Sequence, residues 1–390
     1  MREALEGSQA IARAVALCEP DVVAAYPITP QTHIVENLSK LVADGDLHTE
    51  FVSVESEFSA ASVVLGAAAS GARAYTASSS QGVLLMAEVL FNIAGLRIPL
   101  VMTVANRAVS APLNIWNDHS DSMAVRDSGW IQLHCENNQE AVDTTVQAFK
   151  ISQDTDLPVM VCMDGFVLTH TMEVIDLPTL AQVRKWLPPF NFKRALDPSD
   201  PKSLGALVGP EFFPEVRHSH HAAVQNALPV IEKVDASWGK AFKRNCGGLL
   251  TVEGPQEARI GFLAMGSTVG TLRSGLAHRT EGPDARLIKL RAFRPFPEAA
   301  LRQAVAGLDH LIVIDRAISP GLGGVLGCEV RAALYGQPGA PRIHNHAIGL
   351  GGRDIPETIV ADLLSAIEDP DAPAFSVFDA DLSMLPPEDR

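Results

Sequence analysis

Five cysteines, Cys18, Cys135, Cys162, Cys246 and Cys328, are scattered through 390 residues, and none stands in a Cys-x-x-Cys pair. An iron–sulfur cluster or a structural zinc needs thiolates at short spacing, so neither is expected on this chain. An odd, dispersed set fits a reducing cytoplasm better than a disulfide framework. Positive charge is scarce as well: Lys+Arg 31 against Asp+Glu 46 gives a formal −15. Neither nucleic acid nor an anionic membrane is therefore an expected partner, whereas a small anionic substrate needs only one or two local cations. A Gly-x-Ser-x-Gly elbow and a Walker lysine loop are both missing, which removes the commonest serine-hydrolase and nucleotide signatures. The opening residues Met1-Arg2-Glu3-Ala4-Leu5-Glu6-Gly7 lack the apolar core of a signal peptide, so a cytoplasmic location is expected. Residues 82–105 form the longest apolar stretch, but Glu88, Asn92, Arg97 and Pro99 interrupt it. They read as a buried helix and then a buried strand, not a membrane span.

What is present is a chain that is 47% hydrophobic with a mean hydropathy of +0.12, long enough for two ordinary domains. Its organising stretch is Tyr26-Pro27-Ile28-Thr29-Pro30, which follows a β-branched run at 21–25. Pro27 ends that strand, Pro30 suits a first helical position, and Thr29 suits the cap before it. Strand patterns recur at 51–54, 72–76, 100–104, 130–133 and 158–163, with helical spacing at 31–41, 57–69, after Gly82, and at 139–151. Ser56 is a candidate N-cap for the 57–69 helix. Strands alternating with helices imply an α/β fold with a parallel sheet covered on both faces. Residues 169–245 are proline-rich with one long helical pattern near 220–242, and read as an excursion packed over the first domain. A second α/β rhythm starts at 260, with strands at 260–264, 285–290, 310–314 and 342–347. The expected domains are thus 1–245 and 246–390.

Thr29, Glu57, the Ser78–Ser80 run and Arg107 all fall just after expected strands, and a parallel sheet places such points on one edge. Each has a plain alternative. Thr29 reads as a helix cap or a ligand contact. Glu57 serves a helix dipole, or is a carboxylate in an apolar crevice suited to trading a proton with a ring nitrogen. Ser78-Ser79-Ser80-Gln81-Gly82 is a set of serine caps or an anion nest. Arg107 is half of a structural ion pair, or captures a substrate carboxylate. The His218-Ser219-His220-His221 cluster lacks a partner carboxylate or thiol pattern and reads as surface histidines, with no metal assigned. Gly321-Leu322-Gly323-Gly324 could cradle a phosphate but lacks the full Gly-x-Gly-x-x-Gly spacing. Cys135 and Cys162 read as core residues.

Read in order, these segments resemble the 2-oxoacid:ferredoxin oxidoreductases, and within them the alpha subunit of pyruvate:ferredoxin oxidoreductase. The matching text is Tyr26-Pro27-Ile28-Thr29-Pro30, Glu55-Ser56-Glu57, Ser79-Ser80-Gln81-Gly82, Asn106-Arg107-Ala108 and Asn114-Ile115-Trp116-Asn117-Asp118-His119-Ser120-Asp121. It continues through Asp127-Ser128-Gly129-Trp130, Asp164-Gly165-Phe166, Phe293-Arg294-Pro295-Phe296-Pro297 and Gly349-Leu350-Gly351-Gly352-Arg353-Asp354. The resemblance implies a pyrimidine-binding thiamine diphosphate domain followed by a transketolase C-terminal-like α/β domain. It also implies a cofactor shared with a beta subunit, since the Gly-Asp-Gly of a magnesium–diphosphate site is absent here. Mg2+ and [4Fe-4S] clusters are then expected on partner chains: the beta subunit, and gamma and ferredoxin-like delta subunits or fused equivalents. Pyruvate, coenzyme A and ferredoxin are the expected substrates, with branched-chain 2-oxoacids left open.

Carried over by position, Glu57 matches the glutamate that hydrogen-bonds the cofactor's aminopyrimidine N1′. Thr29 and Arg107 match the residues that receive the substrate's carboxylate and keto oxygen, with Ile28, Thr29 and Ser80 as further cofactor contacts. Two other readings compete: a non-redox thiamine-dependent decarboxylase or transketolase-like half, and a non-catalytic scaffold subunit.

Overall fold

The computed structural model describes residues 2–389. The first sheet runs Ala292–Arg294, Ile131–Cys135, Val159–Asp164, Val101–Asn106, Ala74–Ser78, Val22–Ala25 and Glu50–Ser53 in spatial order. All neighbours are parallel except the first pair. Its central strands are buried along their whole length, which is why they read as continuous apolar runs instead of alternating ones. One face packs on the helices Gly7–Leu17, Asn138–Thr155 and Ala227–Phe242, through Ile11, Val146, Ile231 and Trp238. The other packs on Glu57–Ala69 and Ala87–Gly95, through Ala60, Val64, Leu90 and Ile93. The alanine-rich face of Glu57–Ala69 lets that helix lie close to the sheet.

A second sheet runs Phe375–Val377, Arg342–Ala347, His310–Asp315, Ile260–Ala264, Ala285–Leu290 and Leu250–Glu253, parallel but for the last pair. Immediately after Leu290 the chain crosses to the first sheet and adds Ala292–Arg294 antiparallel to Ile131–Cys135. Buried cations accompany the crossing. Lys289 Nζ meets both carboxylate oxygens of Glu140 at 3.0 Å, and Arg291 donates to Thr144 Oγ1, Gln147 Oε1 and the Gly248 carbonyl.

Several expectations change. The helix after Tyr26–Pro30 starts at Thr32, with Gln31 at its cap and no side-chain capping bond. Residues 28–31 form a turn closed by Gln31 N–H to the Ile28 carbonyl, so Thr29 is exposed and Pro30 precedes the helix. The excursion holds three helices, Leu180–Trp186, Phe213–Gln225 and Ala227–Phe242, because the turn at Asn226 divides what reads as a single pattern. Arg2–Glu6 forms an unexpected ribbon with Met172–Asp176. Ser56 caps Glu57–Ala69 as expected, accepting from Ser59 N–H. The 82–105 stretch resolves into helices and a buried strand. Among the described residues no helix is long and apolar enough to cross a membrane.

Candidate functional site

Four adjacent strands, Val22–Ala25, Ala74–Ser78, Val101–Asn106 and Val159–Asp164, end on one edge of the first sheet. The turns leaving them form the site. Glu57 enters from the helix that follows the edge strand Glu50–Ser53, and its side chain is buried. It lies over Gly82, where an added Cβ would fall 2.6 Å from Glu57 Oε1 and closer still to Ser78 Oγ. The missing Cβ lets the Glu57 carboxylate and Ser78 Oγ pack directly against the Gly82 backbone. Ser78 Oγ and Gln81 Nε2 are buried beside it in sequence without hydrogen-bond partners among the described residues. Glu55, two residues earlier, is exposed and takes a bond from Ser59 Oγ, so the two carboxylates face different surroundings.

The structure brings Arg107 to Thr29. Arg107 Nη1 donates to the Thr29 carbonyl at 2.9 Å and Nε to the Asn114 carbonyl at 2.9 Å. Two of the guanidinium's five donors are thereby used, which leaves three. No ion pair reaches it among the described residues, so the structural ion-pair reading of Arg107 does not hold. Burial lowers its pKa, partly countered by the nearby Asp121 carboxylate. A buried guanidinium with three donors unused is able to take a small carboxylate in bidentate fashion.

Asp121 is the residue that sequence reasoning passed over. Its carboxylate accepts from Ser80 N–H (2.9 Å), Arg107 N–H (3.0 Å), Asn106 Nδ2 (2.8 Å) and Ser122 N–H (2.7 Å). Burial raises its pKa to about 6, against these four stabilising bonds. Of the two readings of Ser78–Ser80, the anion-nest one meets an amide, that of Ser80, already taken by the chain's own carboxylate. Ser80 holds a left-handed φ of 47°, and its buried Oγ lies 2.6 Å from the Ala108 carbonyl, so its polar groups serve the turn. Ile28 likewise keeps its N–H on Gln31 Oε1 at 3.2 Å. The glycine turn at 321–324 repeats the device. Leu326 and Gly327 N–H groups donate to Asp315, and a Cβ on Gly324 would strike that carboxylate, so this turn wraps an aspartate instead of a phosphate. Of the 218–221 histidines only His220 is buried, and it packs against Gly129.

Residues 13–236 match the family described as pyruvate flavodoxin/ferredoxin oxidoreductase, thiamine diphosphate-binding, and residues 258–359 match pyruvate:ferredoxin oxidoreductase core domain II. The chain belongs to the pyruvate:ferredoxin oxidoreductase family. It is 46% identical over 365 residues to pyruvate synthase subunit PorA of Methanosarcina barkeri, covering 92% of this chain and 91% of that one. It is 44% identical to PorA of Methanocaldococcus jannaschii, over 93% and 94% of the two chains. Ketoisovalerate oxidoreductase subunit VorA of Pyrococcus abyssi is 37% identical, over 95% and 93%. Among solved structures, 2-oxoglutarate:ferredoxin oxidoreductase from Magnetococcus marinus, with 2-oxoglutarate, coenzyme A and succinyl-CoA bound, superposes with a TM-score of 0.72 at 21% identity. That match covers 93% of this chain and 64% of the other, so this chain spans less than two thirds of it. A split-gene transketolase matches at 0.52 with 11% identity, covering 94% and 99%. These two likenesses speak for the α/β fold.

In this family member the loop carrying Asn114 to Asp121 is tied down from the second sheet. Asn114 Nδ2 donates to the Gly351 carbonyl at 3.0 Å and His119 N–H to the Arg316 carbonyl at 2.7 Å. Asp164 joins both units, with His119 Nε2 at 2.7 Å, Ser267 N–H at 2.9 Å and Arg316 Nη1 at 3.4 Å. Burial opposes its charge, but His119, Arg316 and Ser267 hold its pKa well below the usual carboxylate range.

Behind His119 lies His134, its ring centroid 5.0 Å away, buried in a strand with neither nitrogen hydrogen-bonded among the described residues. Burial, aided by the His119 charge and opposed by Asp164, lowers its pKa from 6.5 to about 3. The unfolded chain therefore binds a proton at this residue that the folded chain refuses. The resulting stability is present above pH 6.5 and is lost as pH falls toward 3. One such site contributes at most about 1.4 kcal/mol per pH unit. His134→Leu is expected to flatten the pH dependence of the urea midpoint between pH 6.5 and 4, whereas an unchanged slope would assign that acid sensitivity to other groups.

Proposed function

We propose that this chain is the alpha subunit of a pyruvate:ferredoxin oxidoreductase. The overall conversion takes pyruvate, coenzyme A and oxidised ferredoxin to acetyl-CoA, CO2 and reduced ferredoxin, or the reverse. One observation carries the reading: a buried carboxylate, Glu57, packed on Gly82 beside Ser78 Oγ, with Ser78 Oγ and Gln81 Nε2 unpartnered among the described residues. A buried carboxylate with unpartnered polar groups close by in the chain fits the aminopyrimidine end of thiamine diphosphate. When bound, that cofactor supplies the carbon nucleophile for the keto group and accommodates the electron pair left by departing CO2.

Glu57 would hold the aminopyrimidine end of the cofactor and exchange a proton with its ring nitrogen N1′. Arg107 holds the pyruvate carboxylate with its free N–H groups. Thr29 is exposed on the 28–31 turn that Arg107 reaches, and its hydroxyl serves the keto oxygen. Ile28 and Ser80 shape the walls, and Asp121 and Asn114 keep Arg107 and the Ser80 turn in register.

The diphosphate and its Mg2+ are assigned to a beta subunit. Two observations support this: the amides of Ser80 and of Leu326–Gly327, at the start of the helix Val325–Leu334, are already taken by aspartates, and large apolar side chains stand exposed on the helix that Glu57 opens and on its neighbours. Phe58, Leu84, Leu85 and Phe91 all stand exposed on the helices next to Glu57, where a partner would cover them. A cleft of about 610 Å3 opens elsewhere, lined by Cys18, Arg73, Arg184 and Pro188, and contains none of the proposed residues. The [4Fe-4S] clusters and the ferredoxin contact belong on gamma and delta subunits or fused equivalents, in a cytoplasmic complex. We take 1–245 and 246–390 as the two domains, the second lending the Ala292–Arg294 strand to the first.

Purified alone, the chain is expected to give no pyruvate- and coenzyme A-dependent viologen reduction, and to gain it on co-purification with cluster-bearing partners. Full turnover by the isolated chain would overturn the shared site. The VorA relative favours ketoisovalerate as a second substrate reading. A larger kcat/KM for ketoisovalerate than for pyruvate in the assembled complex would select it.

A further inference from the structure

We propose that Glu6, His33 and His170 form a binding site for one divalent transition-metal ion of the zinc or cobalt class. Three distant segments meet there. Glu6 ends the strand Arg2–Glu6, His33 opens the helix Thr32–Ala43 two residues beyond the Tyr26–Gln31 turn, and His170 lies just before the strand Met172–Asp176. One ligand atom from each lies within 4.8 Å of the others. Glu6 Oε1 stands 2.7 Å from His33 Nδ1, and the two imidazole centroids are 4.8 Å apart.

Two imidazoles and one carboxylate are a donor set that suits zinc and its first-row neighbours, with the remaining positions open to water. All three side chains are only partly buried, so an ion can enter and keep water ligands. Without metal, Glu6 Oε1 and His33 Nδ1 are hydrogen-bonded to one another. With metal, the proton between them leaves to solvent and the cation takes its place between the same two atoms. A supporting contact is built in: Thr169 Oγ1 lies 2.7 Å from His170 Nδ1 and fixes the orientation of the ring. Thr169 is itself fixed, its Oγ1 accepting from Phe166 N–H at 2.8 Å and its carbonyl from Ser8 N–H at 2.9 Å.

The consequence would be mechanical. The 165–171 turn packs Gly165 against Pro30, and stacks His170 on Phe166 (4.7 Å) and Phe166 near Trp116 (6.3 Å). An ion held by Glu6, His33 and His170 would pin this turn and the N-terminal strand to the helix leading from Thr29. The inference does not depend on the oxidoreductase reading, and its test needs no turnover.

Co2+ titrated into the full chain is expected to bind with one ion per chain and visible ligand-field absorption, and to raise Tm. His33→Ala/His170→Ala should abolish both signals. Thr169→Val, which keeps all three ligands, should weaken affinity by about 10–100-fold. His218→Ala/His221→Ala should change neither. Co2+ binding of equal stoichiometry in the His33/His170 double variant would overturn the proposal, as would no saturable binding to the wild-type chain. Matching circular dichroism of the metal-free variants and wild type separates loss of ligands from loss of fold.

Discussion

Glu57→Gln is expected to lower kcat of the assembled complex by about 10²–10⁴-fold, the usual range for a lost general acid–base group. The substitution keeps the size of the side chain and its place above Gly82, so subunit assembly should survive. What disappears is the ability to hand a full proton back and forth with a ring nitrogen, because an amide does not titrate near neutral pH. The surroundings make that loss specific. Ser56, not Glu57, caps the helix through its side chain, and Glu55 lies in a different environment, so neither can replace the missing carboxylate. Near-normal turnover in Glu57→Gln would favour the non-catalytic scaffold reading. Acetaldehyde released steadily by the wild-type complex without an electron acceptor would favour the non-redox one.

Arg107→Ala is expected to act on substrate capture. Truncating one partner of a buried, hydrogen-bonded charge pair costs about 2–5 kcal/mol. That corresponds to a fall in kcat/KM of roughly 30-fold to several thousand-fold at 1.36 kcal/mol per decade. The effect should appear mainly as a raised apparent KM for pyruvate, with coenzyme A affinity little altered. Arg107→Lys separates charge from geometry: it keeps a cation but cannot hold the Thr29 and Asn114 carbonyls and a carboxylate in the same planar array. It should recover only part of the loss. An unchanged KM in Arg107→Ala would remove this residue from the carboxylate site.

The sequence carried the parts of the site that depend on local pattern. Ser56 and Glu57 sit at a strand-to-helix junction whose capping chemistry is written in adjacent residues, and Thr29 and Arg107 follow strands marked by β-branched runs. Long-range pairing was not legible. Nothing near Ser80 announces that its amide will meet a carboxylate 41 positions away, and nothing in 321–324 shows that Asp315 will fill that turn. Glycine- and serine-rich turns advertise free amides, and only the folded chain reveals whether the anion they hold is a ligand or an aspartate. The Arg2–Glu6 ribbon pairs with residues about 170 positions on, and the crossing strand Ala292–Arg294 is three residues long, too short for periodicity to register. The excursion misled for a related reason: its two long helices abut at Asn226, and apolar spacing runs across the break.

Proton exchange at the cofactor's reactive carbon reads directly whether Glu57 acts through the aminopyrimidine ring. The assembled complex, loaded with thiamine diphosphate and without pyruvate, would be mixed with D2O, quenched in acid and assayed by NMR for loss of the C2 proton. Glu57→Gln should slow this exchange by about the same 10²–10⁴-fold factor as kcat. Exchange at the wild-type rate in Glu57→Gln, with the cofactor still bound, would contradict the assignment.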